Sequence, residues 1–463
     1  MPGLATSTRP FRRTKEFVVD KNWVLTLILF LIAALPLSAA AEDLMQVYRE
    51  AQRYDAVYAA ARHTLEAGRE RLPQGRALLL PTLNLSGNAQ RSRIDSDSRD
   101  PAVAPSFLRY PSSIGYTLTL AQPLYRPQNR LQYRQAEFQV QQAEAGFGQA
   151  GQDLIIRTAQ AYFDILAAQD TLELVRTQKV AISEQLAQAK RNFEVGTATI
   201  TDTHEAQARF DLINAQEIAA QNDLENRRSA LQLITGKEYR ELKPLRAEVK
   251  LAPPNPTHME TWVDLAEKQS YPVLIQEAAA EVAALEARRA SAAHLPTLDA
   301  VATHGQTGQN ASSTSSVGSD ITSTTIGLQF AMPLYLGGAL DSREREAAAL
   351  SLRSKQDLEN AKRTSALTTR QSYLTVINGI SQIGALEQAL VSSQSALDSN
   401  KLGYEVGVRI NIDVLNAQQQ LFSTLRDLAV ARYNTITNHL RLKAAAGSLR
   451  EEDLEEVNRA LAP

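Results

Sequence analysis

The sequence predicts an α+β membrane protein: four β-strands per chain, which can close a barrel only with other chains, continuous with a long α-helical coiled-coil tube. Three observations predict it. A long segment of the chain occurs twice. Each half has a stretch of more than a hundred residues without proline and with apolar residues at helical spacing. Each half also holds alternating segments of the length of a membrane strand.

The duplication is clearest where Asn192-Phe193-Glu194-Val195-Gly196-Thr197-Ala198-Thr199-Ile200-Thr201-Asp202 returns as Gly403-Tyr404-Glu405-Val406-Gly407-Val408-Arg409-Ile410-Asn411-Ile412-Asp413. Pro123-Leu124-Tyr125 returns as Pro333-Leu334-Tyr335, Gly236 as Gly447, and Pro81-Thr82-Leu83 as Pro296-Thr297-Leu298. Two structural repeats follow, 42–250 and 260–463. A linker over 251–259, with Pro253, Pro254 and Pro256, divides them.

Residues 1–41 read as an export signal. Arg9, Arg12, Arg13, Lys15 and Lys21 form the basic region, Trp23 to Leu37 the apolar one, and Ser38-Ala39-Ala40-Ala41 a small-residue cleavage site. The apolar run is too short for a comfortable helical span, and no other stretch is apolar for long enough.

The strands come next in each repeat. Ile114, Tyr116, Leu118 and Leu120 alternate with Gly115, Thr117 and Thr119; Ile326, Leu328, Phe330 and Met332 alternate with Gly327, Gln329 and Ala331. Period two over about ten residues suits a half-buried strand and also a membrane strand. Strands are expected at about 81–90, 113–123, 297–304 and 324–333. Arg91 to Ser113 and Gly305 to Ser323 read as polar surface loops. Four strands cannot close a membrane barrel, for which about eight are needed, and open edges are forbidden in lipid. Three chains would supply twelve.

The helices follow. No proline lies between Pro127 and Pro244, or between Pro333 and Pro463. Ile155, Ala159, Tyr162 and Leu166, then Leu172, Val175, Ile182, Leu186 and Ala189, keep coiled-coil spacing, as do Tyr373, Ile377, Ile380, Leu386, Leu390 and Leu397 in the second repeat. Many seam positions are Ala or Gly, which allow close approach. A helix from about 128 to 194 would run on the order of 100 Å, the length of a stalk or tube. Gly196 and Gly407 suit the left-handed geometry that ends a helix. Asp202 and Asp413 then read as caps of the next helix, with Asp202-x-x-Glu205 like a capping box; this role can coexist with a functional one.

Bulk properties exclude other classes. Lys and Arg number 49 against 51 Asp and Glu, for a net charge of −2, so no basic footprint points to nucleic acid. Cysteine is absent, which excludes disulfides, thiolate metal sites and an acylated N-terminal cysteine. The six histidines form no ligand set: His204-Glu205 lacks the second histidine of a zinc helix. Gly146-x-Gly148-x-x-Gly151 lies inside a helical seam, not after a strand. Neither an enzyme nor a cofactor is implied.

The order of elements, the entry His294-Leu295-Pro296-Thr297-Leu298, the exit Pro333-Leu334-Tyr335-Leu336-Gly337-Gly338 and the two Val-Gly turns resemble the TolC family of outer-membrane channel-tunnels, over about 42–460. The resemblance implies a homotrimer in the outer membrane of a Gram-negative bacterium, surrounded by lipid and reaching through the periplasm. It implies docking to a periplasmic adaptor through turns at Val195, Gly196, Val406 and Gly407, and an inner-membrane pump of the ABC, RND or MFS type. It implies an entrance latch in which Tyr404 and Arg409 meet Asp202 and Thr201, partly across the subunit boundary. It also implies an acidic ring at Asp413 with a second acid one turn later. Here Asn416 stands at that second place, while Glu205 stands where an amide is usual. A link from Gln185 to an acid just before Tyr404 is implied too, but Lys401 stands there. The competing reading is a periplasmic coiled-coil scaffold. It accounts for the helices and the signal but not for two strand pairs each ending in Pro-Leu-Tyr.

Overall fold

The structure, a computed structural model, describes residues 41–100, 102–103, 105–246, 251–312 and 315–462. Residues 1–40, most of the expected export signal, lie outside them. Helices α1 (Leu44–Tyr54), α2 (Ala56–Arg69) and α3 (Arg71–Ala77) lead to strand β1 (Thr82–Arg91). A small hairpin, β2 (Ile94–Ser96) and β3 (Phe107–Arg109), precedes β4 (Ser112–Tyr125). Helices α4 (Pro127–Glu194) and α5 (Ile200–Thr235) form the first long hairpin. Helices α6 (Met259–Gln269) and α7 (Tyr271–Ser291) lead to β5 (Thr297–Gln309) and β6 (Ser319–Ala331). Helices α8 (Ala339–Glu405) and α9 (Asn411–Ala445) form the second hairpin, and α10 (Glu451–Arg459) closes the described chain.

The sheet has the order β1-β4-β5-β6 and is antiparallel throughout. Direct partners lie on one face. The row Leu83, Leu120, Ala302, Ile326 is therefore apolar across the whole sheet. Leu85 and Leu118, and Phe330 and Leu298, extend that face. The other face carries Asn84, Thr119, Thr303 and Thr325. The apolar face is bare in the single chain: Ile326 is 82% exposed and Leu85 72%.

Two strand limits differ from the expected ones. β5 and β6 continue through Gln309 and back from Ser319, into residues expected to be loop. Their Gly, Thr, Gln and Ser side chains break the apolar alternation, but their backbone continues the ladder. The expected loop from 91 to 113 likewise contains the β2–β3 hairpin. Between Pro123 and Tyr125 the register against β5 shifts, where proline has no N–H to donate.

Helix α4 has 68 residues and α8 has 67, about 100 Å each. One half of α4 packs on α2, α3 and α7, the other on α5 and α9; α8 packs on α7 and α6, then on α9. Small residues set the approach. A Cβ on Gly75 would meet Ala136 Cβ at 2.9 Å, and Gly148 lies under the Tyr271 ring.

The main core forms where the hairpins meet around Phe163 and Tyr433. Leu154, Ile155, Ala159, Tyr162, Phe163 and Leu166 of α4 are buried against Leu44 and Val47 of α1, Leu231 of α5 and Tyr433 of α9. Phe163 stacks on Tyr433 with centroids 5.7 Å apart. Tyr433 donates to Asp170 at 2.7 Å, and burial pushes the Asp170 carboxyl up despite that bond. Tyr162 donates to the carbonyls of Glu42 and Lys243. The α8 seam differs: Leu397 is buried, but Tyr373, Ile377, Ile380, Leu386 and Leu390 are only partly so, because α8 has fewer partners than α4 in one chain.

Asp55 caps α2 by accepting from Tyr58 N at 2.7 Å, and Arg157 donates to both its oxygens at 2.9 and 3.0 Å. The Arg157 hydrogen bonds hold this carboxyl below its usual range. Its stabilisation is therefore complete above the ordinary carboxylate pKa and disappears as pH falls through the lowered one. Asp55→Ala should cost about 2 kcal/mol, read as faster hydrogen exchange at residues 56–59. Unchanged exchange would show that the pair and cap hold nothing.

The hairpin tips as candidate functional site

Each hairpin turns on a glycine. Gly196 has φ +79° and Gly407 φ +80°, a region that side chains rarely adopt. The following amides fold back on the ending helix. Thr197 N and Ala198 N donate to Asn192 O, as Val408 N and Arg409 N donate to Gly403 O. Val195 is 72% exposed and Val406 65%, so each tip projects a bare apolar side chain.

The acids are not at the cap positions. The N-cap of α5 is Thr199: its hydroxyl accepts from Asp202 N, while Asp202 accepts from Thr199 N at 2.9 Å. Ile410 holds the equivalent place before α9, with no side-chain cap bond. Asp202 and Asp413 both lie in the first turn, two residues inside their helices. There a carboxylate still favours the positive end of the helix dipole.

Within one chain the expected latch residues have other partners. Tyr404 accepts from Asn192 Nδ2 at 3.2 Å, which joins the two tips. Arg409 lies 3.7 Å from Asp413. Arginine four residues before the acid is the weaker order of such a pair, and Arg409 is exposed. Thr201 is exposed, and Asp202 is engaged with Thr199. Asn416 accepts from Arg209 Nη2 at 2.7 Å. Glu205 makes no ion pair or side-chain hydrogen bond among the described residues. Gln185 Oε1 is buried without a partner. Farther from the tips, Lys179 and Arg176 of α4 contact Glu217 of α5 at 2.8 and 3.2 Å, and these bonds, Lys179's first, hold the Glu217 carboxyl below the usual range.

Asn192 and Arg209 were not legible as site residues. The signal was present: Asn192 stands opposite Gly403 in the duplicated segment, a side chain where the other copy has none.

Among the described residues no group of His, Asp and Glu could hold a metal, and no helix is long and apolar enough to cross a membrane. The family profile described as Outer membrane efflux protein matches residues 47–237 and again 262–448. The chain belongs to the outer membrane efflux protein family. It is 35% identical to the outer membrane protein TolC of Vibrio cholerae, over 94% of this chain and 98% of that protein. It is 33% identical to the alkaline protease secretion protein AprF of Pseudomonas aeruginosa, over 90% of this chain and 87% of the relative. The fold matches the CmeC outer membrane channel of Campylobacter jejuni with a TM-score of 0.75 at 17% identity, over 100% of this chain and 98% of that one. By their names these relatives are an outer membrane protein, a protease secretion protein and an outer membrane channel.

Thr199→Ala should cost about 1 kcal/mol of helix stability. Hydrogen exchange at 200–203 should quicken by about fivefold; unchanged protection would remove the capping role.

Proposed function

We propose that the protein is the outer-membrane exit duct of a tripartite export system. It works as a homotrimer in which β6 of one chain pairs with β1 of the next. The observation that carries this reading is the sheet itself. Four strands end in two unpaired edges, β1 and β6, under an exposed apolar face. In hydrocarbon each unpaired backbone group costs several kcal/mol, so only a closed barrel is stable. Three chains supply twelve strands. The helices, about 100 Å long, then form a tunnel into the periplasm. A cleaved signal over 1–41 delivers the chain to the outer membrane of a Gram-negative cell.

The two Val-Gly tips are the entrance. Val195, Gly196, Val406 and Gly407 are bare and suit docking by a periplasmic adaptor. An inner-membrane pump of ABC, RND or MFS type selects the cargo. A relative named for protease secretion supports protein export, and the family name supports efflux; small molecules are the second cargo class of this reading. Arg409 is exposed and weakly paired, so it can reach Asp202 and Thr201, partly across the subunit boundary, with Tyr404 beside it. Three Asp413 carboxylates near one axis favour cations. Asn416 adds no charge to that ring; Glu205, half-buried and unpaired, can add to it.

The protein should fractionate with outer membranes, run as a trimer in mild detergent and conduct ions in planar bilayers. A soluble monomer without conductance would instead favour a periplasmic coiled-coil scaffold. Arg409→Ser with Tyr404→Phe should raise single-channel conductance; conductance equal to wild type would count against the latch. Asp413→Ala should weaken cation selectivity and block by multivalent cations, and an unchanged reversal potential would sink the ring assignment.

A further inference from the structure

We propose that Arg209 clamps the two hairpins together and offsets the cation preference of the acidic ring at the mouth. The proposal rests on the channel reading above and adds a residue to it. Arg209 lies on α5, two helical turns beyond Asp202. Its Nη1 donates to Gln419 Oε1 at 2.6 Å and its Nη2 to Asn416 Oδ1 at 2.7 Å. The two acceptors are three residues apart on α9, so they stand side by side on one helix face. A planar guanidinium matches such a pair of acceptors, and an ammonium does not.

The clamp sits where the hairpins already touch. Leu415 of α9 packs against Ile182 of α4 and Ile213 of α5, with Phe210 and Ile412 around them. Elsewhere α9 rests chiefly on α8 and α4, and only sparsely on α5. Arg209 therefore makes the polar half of the α5–α9 junction. Any movement that parts the hairpins here breaks both of its hydrogen bonds at once.

The partners are amides, which carry no charge. Among the described residues Arg209 forms no ion pair. Glu205 lies four residues earlier on the same helix, yet the side chain turns to α9 instead. No carboxylate among the described residues pairs with the guanidinium, and Glu205 stands one helical turn away on α5. Three copies around one axis would place three such cations at the constriction and oppose the acidic ring.

Planar-bilayer recordings of the intact trimer test both halves of the proposal. Arg209→Ala should raise closed-state conductance by about threefold and shift the reversal potential toward cations. Arg209→Lys should raise conductance but leave the reversal potential near wild type, because the charge stays and the fork is lost. Asn416→Ala with Gln419→Ala should raise conductance like Arg209→Ala, and the triple variant should add little more. Wild-type conductance and reversal potential in Arg209→Ala would overturn the proposal, as would additive effects in the triple variant. A wild-type protein without conductance would overturn the channel reading and the proposal together; a conducting wild type indifferent to Arg209 would overturn the proposal alone. The chain has no cysteine, so Arg209→Cys with Asn416→Cys can be bridged by a short bifunctional thiol reagent. Bridging should hold conductance at the closed level; failure to bridge in the intact trimer would also overturn the clamp.

Discussion

The pairing of β4 with β5 is the constraint on which the rest of the structure depends. It joins Ser113 to Gln309 and continues to Pro123 and Asp299, residues from opposite halves of the chain. With these strands at the centre, β1 and β6 must take the edges. The same ladder brings the end of β4 and the start of β5 to one end of the sheet. There Arg126 forms a two-bonded pair with buried Asp299 at 2.8 and 2.5 Å. The helices that leave and enter at this end, α4 and α7, are thereby set side by side. Gln135 of α4 donates to Glu286 of α7 at 2.9 Å, and Tyr271 settles on Gly148 farther along. Farther along α4, Phe163 meets Tyr433 of the second hairpin.

Far from the sheet the two hairpins have little holding them together. The tips meet through Asn192 and Tyr404, and the shafts through Arg209 and the Leu415 cluster. Each polar contact is partly or wholly exposed, and exposed contacts of this kind are worth about 0–1 kcal/mol each. The waist differs: its aromatic stack and buried leucines resist parting. A structure rigid in the middle and lightly tied at the ends can move its tips without unfolding its core. That distribution agrees with the entrance role proposed for the tips.

Much of the fold was legible because its signals are local and repeated. Ile155, Ala159, Tyr162 and Leu166 keep a spacing that only a helix turns to one side, and all four are buried. The absence of proline allowed helices of unusual length, and Gly196 and Gly407 marked where they turn. Strand ends were less legible. Periodicity needs apolar residues, while Gly305–Gln309 pair through backbone groups that every residue possesses. The caps misled for a similar reason. Thr199 and Asp202 can each begin a helix, and the choice between them depends on hydrogen bonds three residues long.

The candidate site divides along the same line. Gly196, Gly407 and the acids of the first turns were set by local chemistry, since a left-handed turn and a helix start depend on near neighbours. The partners of Tyr404, Asn416 and Arg409 were not. Tyr404 could bond any oxygen or amide within reach, and Asn192 lies 212 residues away in sequence. Arg209 could have paired with Glu205 on its own helix. It meets Asn416 and Gln419 because the sheet and the waist bring α5 and α9 alongside each other. Helix, strand and turn were written in short stretches of sequence, where each residue constrains the next. Contacts between hairpins arose only when distant stretches were brought together, because a side chain's partner is chosen by proximity in space.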